Sequence, residues 1–536
     1  MKKIITLVLL IFCSISVFSQ EAIATHPEND NPVYSVPGEY DNALFTNINL
    51  SNNAPAPQNE PSIRISRVNP NIIVAAWRDF RLGWDPNPVR RIGYTYSTNG
   101  GSTWAASQLL PDPNPTHTSQ SDPVVVNDAQ GNFYISSTSR KPVSGYNRDM
   151  LIYKSTNGGQ TFFFHAVACP GSGGPGEDKE WIFCDPVLSN PTYNNIFISW
   201  TSFGASLGIK FRKSTNGGLN WSAQVNIGDN SSGQGSNICS GTNGHIYVVW
   251  QASGVRFDKS TNGGTSFGTD YQLSNVTNTN GFPFICSDYS NRPSRGNVYA
   301  VWDDTRGGNS DVYIQRSTNG GTNWLAAPVR VNDVTTSSQY WPAVQCDTNG
   351  YLYVIYYDNR LGASQVNSYI AYSTDQGTTW VNNRLSDVAF PETEVGTDAR
   401  YGDYIGIDAF AGKVMTVWTD DRAGTPNQEI YTANLAGLIG IQPVSNNIPD
   451  KFSLYQNFPN PFNPATKIRF DIQKSSEVQL KVYDMTGKLI KYLIKENLPA
   501  GSYSIDFNAS ELTSGIYLYE LTAGDFNATK KMVLVK

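Results

Sequence analysis

Apolar residues along this chain fall in short runs, alternating or nearly continuous, separated by turns that contain Gly, Asn or Pro. Such runs read as β-strands, half-buried where they alternate and buried on both faces where they do not. Their order repeats. An inner strand follows a proline or its equivalent, as at Ser62–Ile65, Val124–Asn127, Trp181–Cys184, Asn237–Cys239, Phe284–Cys286 and Ala343–Cys346. A turn leads to a second strand, such as Ile72–Trp77, His245–Trp250, Asn297–Trp302 or Leu352–Tyr357. A third strand, such as Ile92–Tyr96 or Val312–Arg316, ends in a polar octet.

The octets are one motif in six copies: Ser97–Trp104 (STNGGSTW), Ser155–Phe162, Ser214–Trp221, Ser260–Phe267, Ser317–Trp324 and Ser373–Trp380 (STDQGTTW). They recur every 46 to 59 residues, a period that holds four short strands and their turns, which is one propeller blade. Within the motif the Ser and Asn or Asp side chains satisfy turn backbone, the glycines allow positive φ, and the closing ring packs between sheets. A seventh, degenerate unit follows: Tyr404–Asp408, Val414–Trp418 and Glu429–Thr432, with Tyr431–Gly437 in place of the octet. Its outer strand is expected from the N-terminus, where Ala43–Leu50 alternates, closing the ring without an open edge.

Composition agrees with an all-β chain: 46 Gly, 30 Pro, 29 Tyr and 12 Trp, with 16% charged residues. A net charge of −6 without basic runs argues against a nucleic-acid partner. Lys2 and Lys3 followed by apolar Ile4–Phe12 read as a signal peptide, residues 1–20, and no other stretch approaches the ~20 apolar residues of a transmembrane helix. Of six cysteines, Cys13 leaves with that peptide. The remaining five read as buried thiols between blades, with a Cys169–Cys184 bridge as the alternative. The four histidines lack metal spacing, so neither a metal nor a cofactor is expected.

The octet resembles the Asp box (BNR repeat) of sialidases and related propellers, where it is structural and lies on the face away from the active site. A sialidase-like β-propeller of seven blades, residues 21–441, is therefore expected; catalytic sialidases have six. After a linker at 442–449, Asn457–Pro464 (NFPNPFNP) opens a run of alternating strands: Lys467–Ile472, Val478–Tyr483, Tyr503–Phe507, Ile516–Thr522 and Thr529–Val535. They form a small C-terminal β-sandwich, residues 450–536. With VYDMTGKLI and the KKMVLVK end, it resembles the type A sorting domain of the type IX secretion system. That resemblance implies export through the periplasm to the surface or medium of a Bacteroidota-type bacterium, with the secretion machinery as partner.

Four second strands end alike, at Asp79-Phe80-Arg81, Asp304-Thr305-Arg306, Asp358-Asn359-Arg360 and Asp420-Asp421-Arg422. These corners fall on the face away from the octets. Their guanidinium forks suit carboxylate recognition; equally, each Asp could hold its own Arg as scaffold. The first blade resembles a sialidase in order: Arg64 on the inner strand, Arg81, then Ser97. By that resemblance Arg64 grips the substrate carboxylate beside Arg81, Asp85 is the general acid and Tyr404 the nucleophile, with Glu180 the candidate base. Further arginines would come from Arg306, Arg360, Arg400 and Arg422. Ser66 stands where the family has Pro. The expected function is a sialidase-like propeller that binds extracellular glycans or glycoproteins. The alternatives are an active exo-sialidase or other glycoside hydrolase, and a protein-binding adhesin.

Overall fold

A computed structural model describes residues 45–536 apart from short stretches: 53–55, 85–88, 113–116, 118, 142–147, 172–175, 205–206, 230–232, 277–280, 363, 393–400, 425–426, 436–437, 439–441, 446–448, 475, 499 and 510–511. The signal-peptide expectation, Asp85 and Arg400 lie outside the described residues.

All regular elements among them are strands. In each of the first six blades four consecutive strands pair antiparallel in chain order. Blade one is Gln58–Ile65, Ile73–Asp79, Arg91–Ser97 and Gln108–Leu109. Blade two starts at Ser119–Asn127, blade three at Glu177–Cys184, blade four at Gln234–Ser240, blade five at Phe284–Ser287 and blade six at Gln339–Cys346. Blade seven joins Gly406–Phe410, Lys413–Asp420 and Glu429–Asn434 to the N-terminal strand Asn47–Asn49. There Asn47 faces Ala433 and Asn49 faces Tyr431, as the alternation of that segment led one to expect. Each inner strand packs on the next, and that of blade one packs on both blade two and blade seven, so the seven sheets close on themselves.

The core is distributed between the blades. Second strands are buried along their length, Val298–Asp304 entirely, and Trp77, Trp200, Trp250, Trp302 and Trp418 are wholly buried. A buried indole N–H needs an acceptor. Trp77, Trp302 and Trp418 donate to Asp79, Asp304 and Asp420 at 2.8–3.1 Å, and Trp200 to Glu177 at 2.7 Å.

The octets sit in the turns between third and fourth strands and do the turn work their sequence implies. Ser97 Oγ accepts the Gly101 N–H at 2.9 Å while Asn99 Oδ1 accepts that of Thr103 at 2.9 Å. The second glycine lies against the preceding blade. At Gly321, with φ +69°, a Cβ would stand 2.4 Å from the Phe257 ring, so both conformation and space demand glycine. The closing rings pack edge-on, Phe162 to Tyr94 and Trp324 to Phe257, each at 5.0 Å. All five described cysteines are free and buried; no bridge joins Cys169 to Cys184.

Inner strands begin earlier than the apolar pattern shows, at Gln58 instead of Ser62 and at Gln339 instead of Ala343. The pattern hides this because five of the ladders skip two residues near their start, at Glu60-Pro61, Asp122-Pro123, Lys179-Glu180, Gly235-Ser236 and Trp341-Pro342. A bulge absorbs a proline that cannot donate to the ladder.

The C-terminal part is a sandwich of two four-stranded sheets. One orders Gln442–Ser445, Gly501–Asn508, Ala465–Ile472 and Ser453–Leu454; the other Leu489–Leu498, Ser476–Asp484, Gly515–Ala523 and Phe526–Leu534. Ile468, Phe470, Leu480, Val482, Tyr519 and Leu521 fill the space between. Gln442–Ser445, within the expected linker, is here an edge strand, a position that tolerates Pro443. Asn457 ties down the proline-rich opening, donating to Pro459 O at 3.1 Å and Thr466 Oγ1 at 3.0 Å.

Candidate functional site

The bulges create a tier of unusual residues at the head of the inner strands, on the face opposite the octets. Glu60, Asp122, Lys179 and Trp341 all have positive φ, between 50° and 58°. None is glycine, and each such residue carries strain of order 1–3 kcal/mol. Blade four has Gly235 (φ +67°) at the same position, so the bulge sets the backbone and four other blades place a side chain on it. In blade seven the corresponding stretch is Gly402-Asp403-Tyr404. Gly402 (φ +100°) lies so close to Glu60 that a Cβ would meet its Cγ at 2.8 Å.

These residues converge. Arg78, at the end of the second strand of blade one, pairs with Glu60 at 3.1 Å and donates to Asn59 at 2.7 Å. Asp122 accepts from Thr138 Oγ1 at 3.0 Å, and Arg148 pairs with Asp178. The Lys179 ammonium stands over the Tyr404 ring at 4.0 Å, that of Trp181 at 4.6 Å and that of Phe282 at 5.5 Å. Trp181 meets Tyr404 edge-on at 5.6 Å. Trp341 lies 5.8 Å from Tyr357. Trp181, Phe282 and Trp341 are half-buried, and Asp403 is exposed.

The electrostatics follow from crowding. Burial, reinforced by Asp122 and Asp403, pushes the Glu60 carboxyl well above the usual range although Arg78 draws it down. Burial would raise Asp122 too, but Arg78 and a hydrogen bond from Glu60 hold it low. Glu60 thus keeps a proton and Asp122 carries the charge. Burial and the charge of Asp122 lift Asp178 to about 6 and raise Glu180 well above its ordinary value. Tyr404 is pushed well above its ordinary value by burial, then by Glu60, Asp122 and Glu180. Its hydroxyl donates to Pro123 O at 3.1 Å.

Of the residues singled out from sequence, Tyr404 and Glu180 belong to this tier. Arg64 does not. It is aligned with Val74, whereas the tier lies between Asn59 and Ser62, opposite Arg78 and Ala76. Four residues separate it from Glu60, about 13 Å along a strand. There it is buried, 3.4 Å from Asp408 and 3.3 Å from Asn127, while Arg67 grips Asp408 with two bonds of 2.7–2.8 Å. Burial and Arg67 lower the Arg64 guanidinium to about 10. Arg64 also lines a cavity in the channel of about 70 Å³, against several hundred for ligand pockets in general.

The four corner arginines are clamps. Arg81, Arg306, Arg360 and Arg422 each bind the Asp two residues earlier through backbone N–H and guanidinium, with N–H···O distances of 2.7–3.1 Å at the backbone. The Arg81 guanidinium also reaches Ser107 in its own blade, while those of Arg306, Arg360 and Arg422 reach Ser274, Asp333 and Asp387 at the end of the preceding blade. Arg306, Arg360 and Arg422 also cover Tyr313, Tyr369 and Tyr431 at 4.1–4.5 Å.

The apolar pattern does not reveal Glu60, Asp122, Lys179 and Trp341. The signal that could have found them is the residue before each inner-strand proline, in Glu60-Pro61, Asp122-Pro123 and Trp341-Pro342.

Comparison with known proteins places the C-terminal segment first. Residues 456–536 match the family described as "Secretion system C-terminal sorting domain". The chain is therefore a secreted protein carrying a type IX sorting domain, bound for the cell surface or beyond, and it engages the secretion machinery through that domain. No helix among the described residues is long and apolar enough to cross a membrane. Comparison with curated protein sequences found no match. Among solved structures the chain is similar to a protein of unknown function from Dyadobacter fermentans (14% identity, 74% of this chain and 99% of that one, TM-score 0.43). It is also similar to an α-L-arabinanase of Penicillium chrysogenum complexed with arabinobiose (12%, 75% and 99%, TM-score 0.42). A leech intramolecular trans-sialidase is similar over 66% of this chain and 71% of its own, at 11% identity and TM-score 0.43.

Proposed function

We propose that the protein is a secreted propeller that binds extracellular glycans at the mouth formed by the bulge tier. The observation that carries this reading is the recurrence of four strained non-glycine residues at one position, which gathers carboxyls, a lysine and aromatic rings at the head of the inner strands. Sugars are bound by flat aromatic faces and by charged groups that hydrogen-bond hydroxyls, and the mouth offers both. In this reading Tyr404 and Glu180 belong to the binding site, and Arg81, Arg306, Arg360 and Arg422 frame it.

Hydrolysis is the second reading, favoured by one observation: Tyr404 shares the tier with the carboxyls of Asp122 and Glu180. Against it, a tyrosine whose proton is held tightly and donated to a carbonyl is a poor nucleophile. The test is glycan retention on an array together with turnover of a fluorogenic sialoside. Retention without turnover, reduced by Trp341→Ala, is the expected result. Turnover abolished by Tyr404→Phe would establish the hydrolase instead.

A further inference from the structure

Whatever occupies the mouth must match its unmet hydrogen bonds and its charge. Both carboxylate oxygens of Glu180 lack a donor at hydrogen-bond distance and angle, although the side chain is wholly buried, with the Ser136 hydroxyl beside it. Buried acceptors in this condition call for donors. Yet the cations described at the mouth are already engaged. Arg78 is bound to Glu60, Arg148 to Asp178, and Lys179 stands over three rings amid the carboxyls of Asp403, Asp122, Glu60 and Glu180.

An acidic sugar brings acceptors and a second negative charge to a place already rich in both. Its carboxylate would face Asp122 and Asp178, and like charges brought together at an interface cost several kcal/mol. A polyhydroxyl ligand without charge brings donors for the carboxyls and C–H faces for Trp181 and Trp341. We infer that the mouth selects uncharged glycans and rejects sialylated or uronic ones. This rests on the proposed glycan-binding function and narrows it to a ligand class.

The test uses the mature full-length chain on a glycan array that includes matched pairs differing only in charge: lactose and 3′-sialyllactose, and oligogalacturonate as methyl ester and as free acid. Retention of neutral glycans is expected, with the neutral member of any bound pair held at least about tenfold more tightly than its acid partner. That retention should not weaken between low and high salt, because no ion pair carries it. Asp178→Asn, at a partly exposed side chain, should narrow the gap between pair members by easing the repulsion. Equal or tighter retention of the acidic members, lost at high salt, overturns the inference while leaving a glycan-binding protein. Retention of no glycan at all overturns the proposed function itself.

Discussion

At the scale of residues, the chain keeps charges inside by arranging them in groups. Asp408 is the clearest case. Burial alone would raise its carboxyl, but Arg67 and Arg64, with the bonds from Arg67 and the Ile65 N–H, hold it below its ordinary value of 3.8. A carboxyl depressed in the folded state stabilises the fold above its unfolded pKa, and that contribution is lost as pH falls through the folded value. Asp408→Asn leaves one buried and one half-buried guanidinium without their counter-charge. The expected loss at neutral pH is about 3–5 kcal/mol. The wild type should lose this part of its stability only below about pH 4, and the variant should show a shallower acid limb. Denaturant titration of both proteins from pH 7 to pH 3 checks the magnitude and the sign together. Unchanged stability at pH 7 would show that Arg64 and Arg67 find other partners.

At the scale of elements, turns and bulges divide the labour. The octet turns fix one blade against the next, so their glycines are packing positions as well as turn positions. Gly321→Ala must displace Phe257 besides adopting positive φ, with an expected destabilisation of about 1–3 kcal/mol from overpacking in addition to the backbone strain. Gly424→Ala, with φ +80° and nothing within 4 Å, carries the backbone strain alone and is the control. Equal melting temperatures for the two variants would contradict the packing role. The octets were legible in the sequence because their chemistry is local: a hydroxyl, an amide and two glycines in fixed order. The closing strand Asn47–Asn49 was legible through its alternation. The bulge tier was not. Glu60 and Asp122 are polar residues before a proline and read as loop; only the register slip that follows turns them toward the mouth. Arg64 misleads for the opposite reason. Sequence order places it on the correct strand, but the pairing places it about 13 Å from Glu60 along that strand, where Asp408 has claimed it. The corner arginines were readable as forks for a carboxylate, and Asp79, Asp304, Asp358 and Asp420 are carboxylates already in hand.

At the scale of the whole molecule, seven sheets close into a ring and the sorting segment 456–536 lies within a sandwich of two further sheets. Leu435 and Leu438 belong to the propeller core, while Gln442–Ser445 pairs within the terminal sandwich, so the joint lies between them. Deletion of residues 442–536 should leave a propeller with cooperative unfolding and intact glycan retention that accumulates in the periplasm. Delivery of that truncated chain to the surface would contradict the sorting role. The proposed glycan site of the ring lies on the bulge face, opposite the octets. Hydrogen exchange with and without a retained glycan tests this most directly. Slowed exchange is predicted at the heads of the inner strands, around 58–62, 119–124, 177–181 and 339–342, with no change in the octet turns such as 97–104 and 317–324. Slowed exchange confined to the octet turns would place the ligand on the other face and contradict the account.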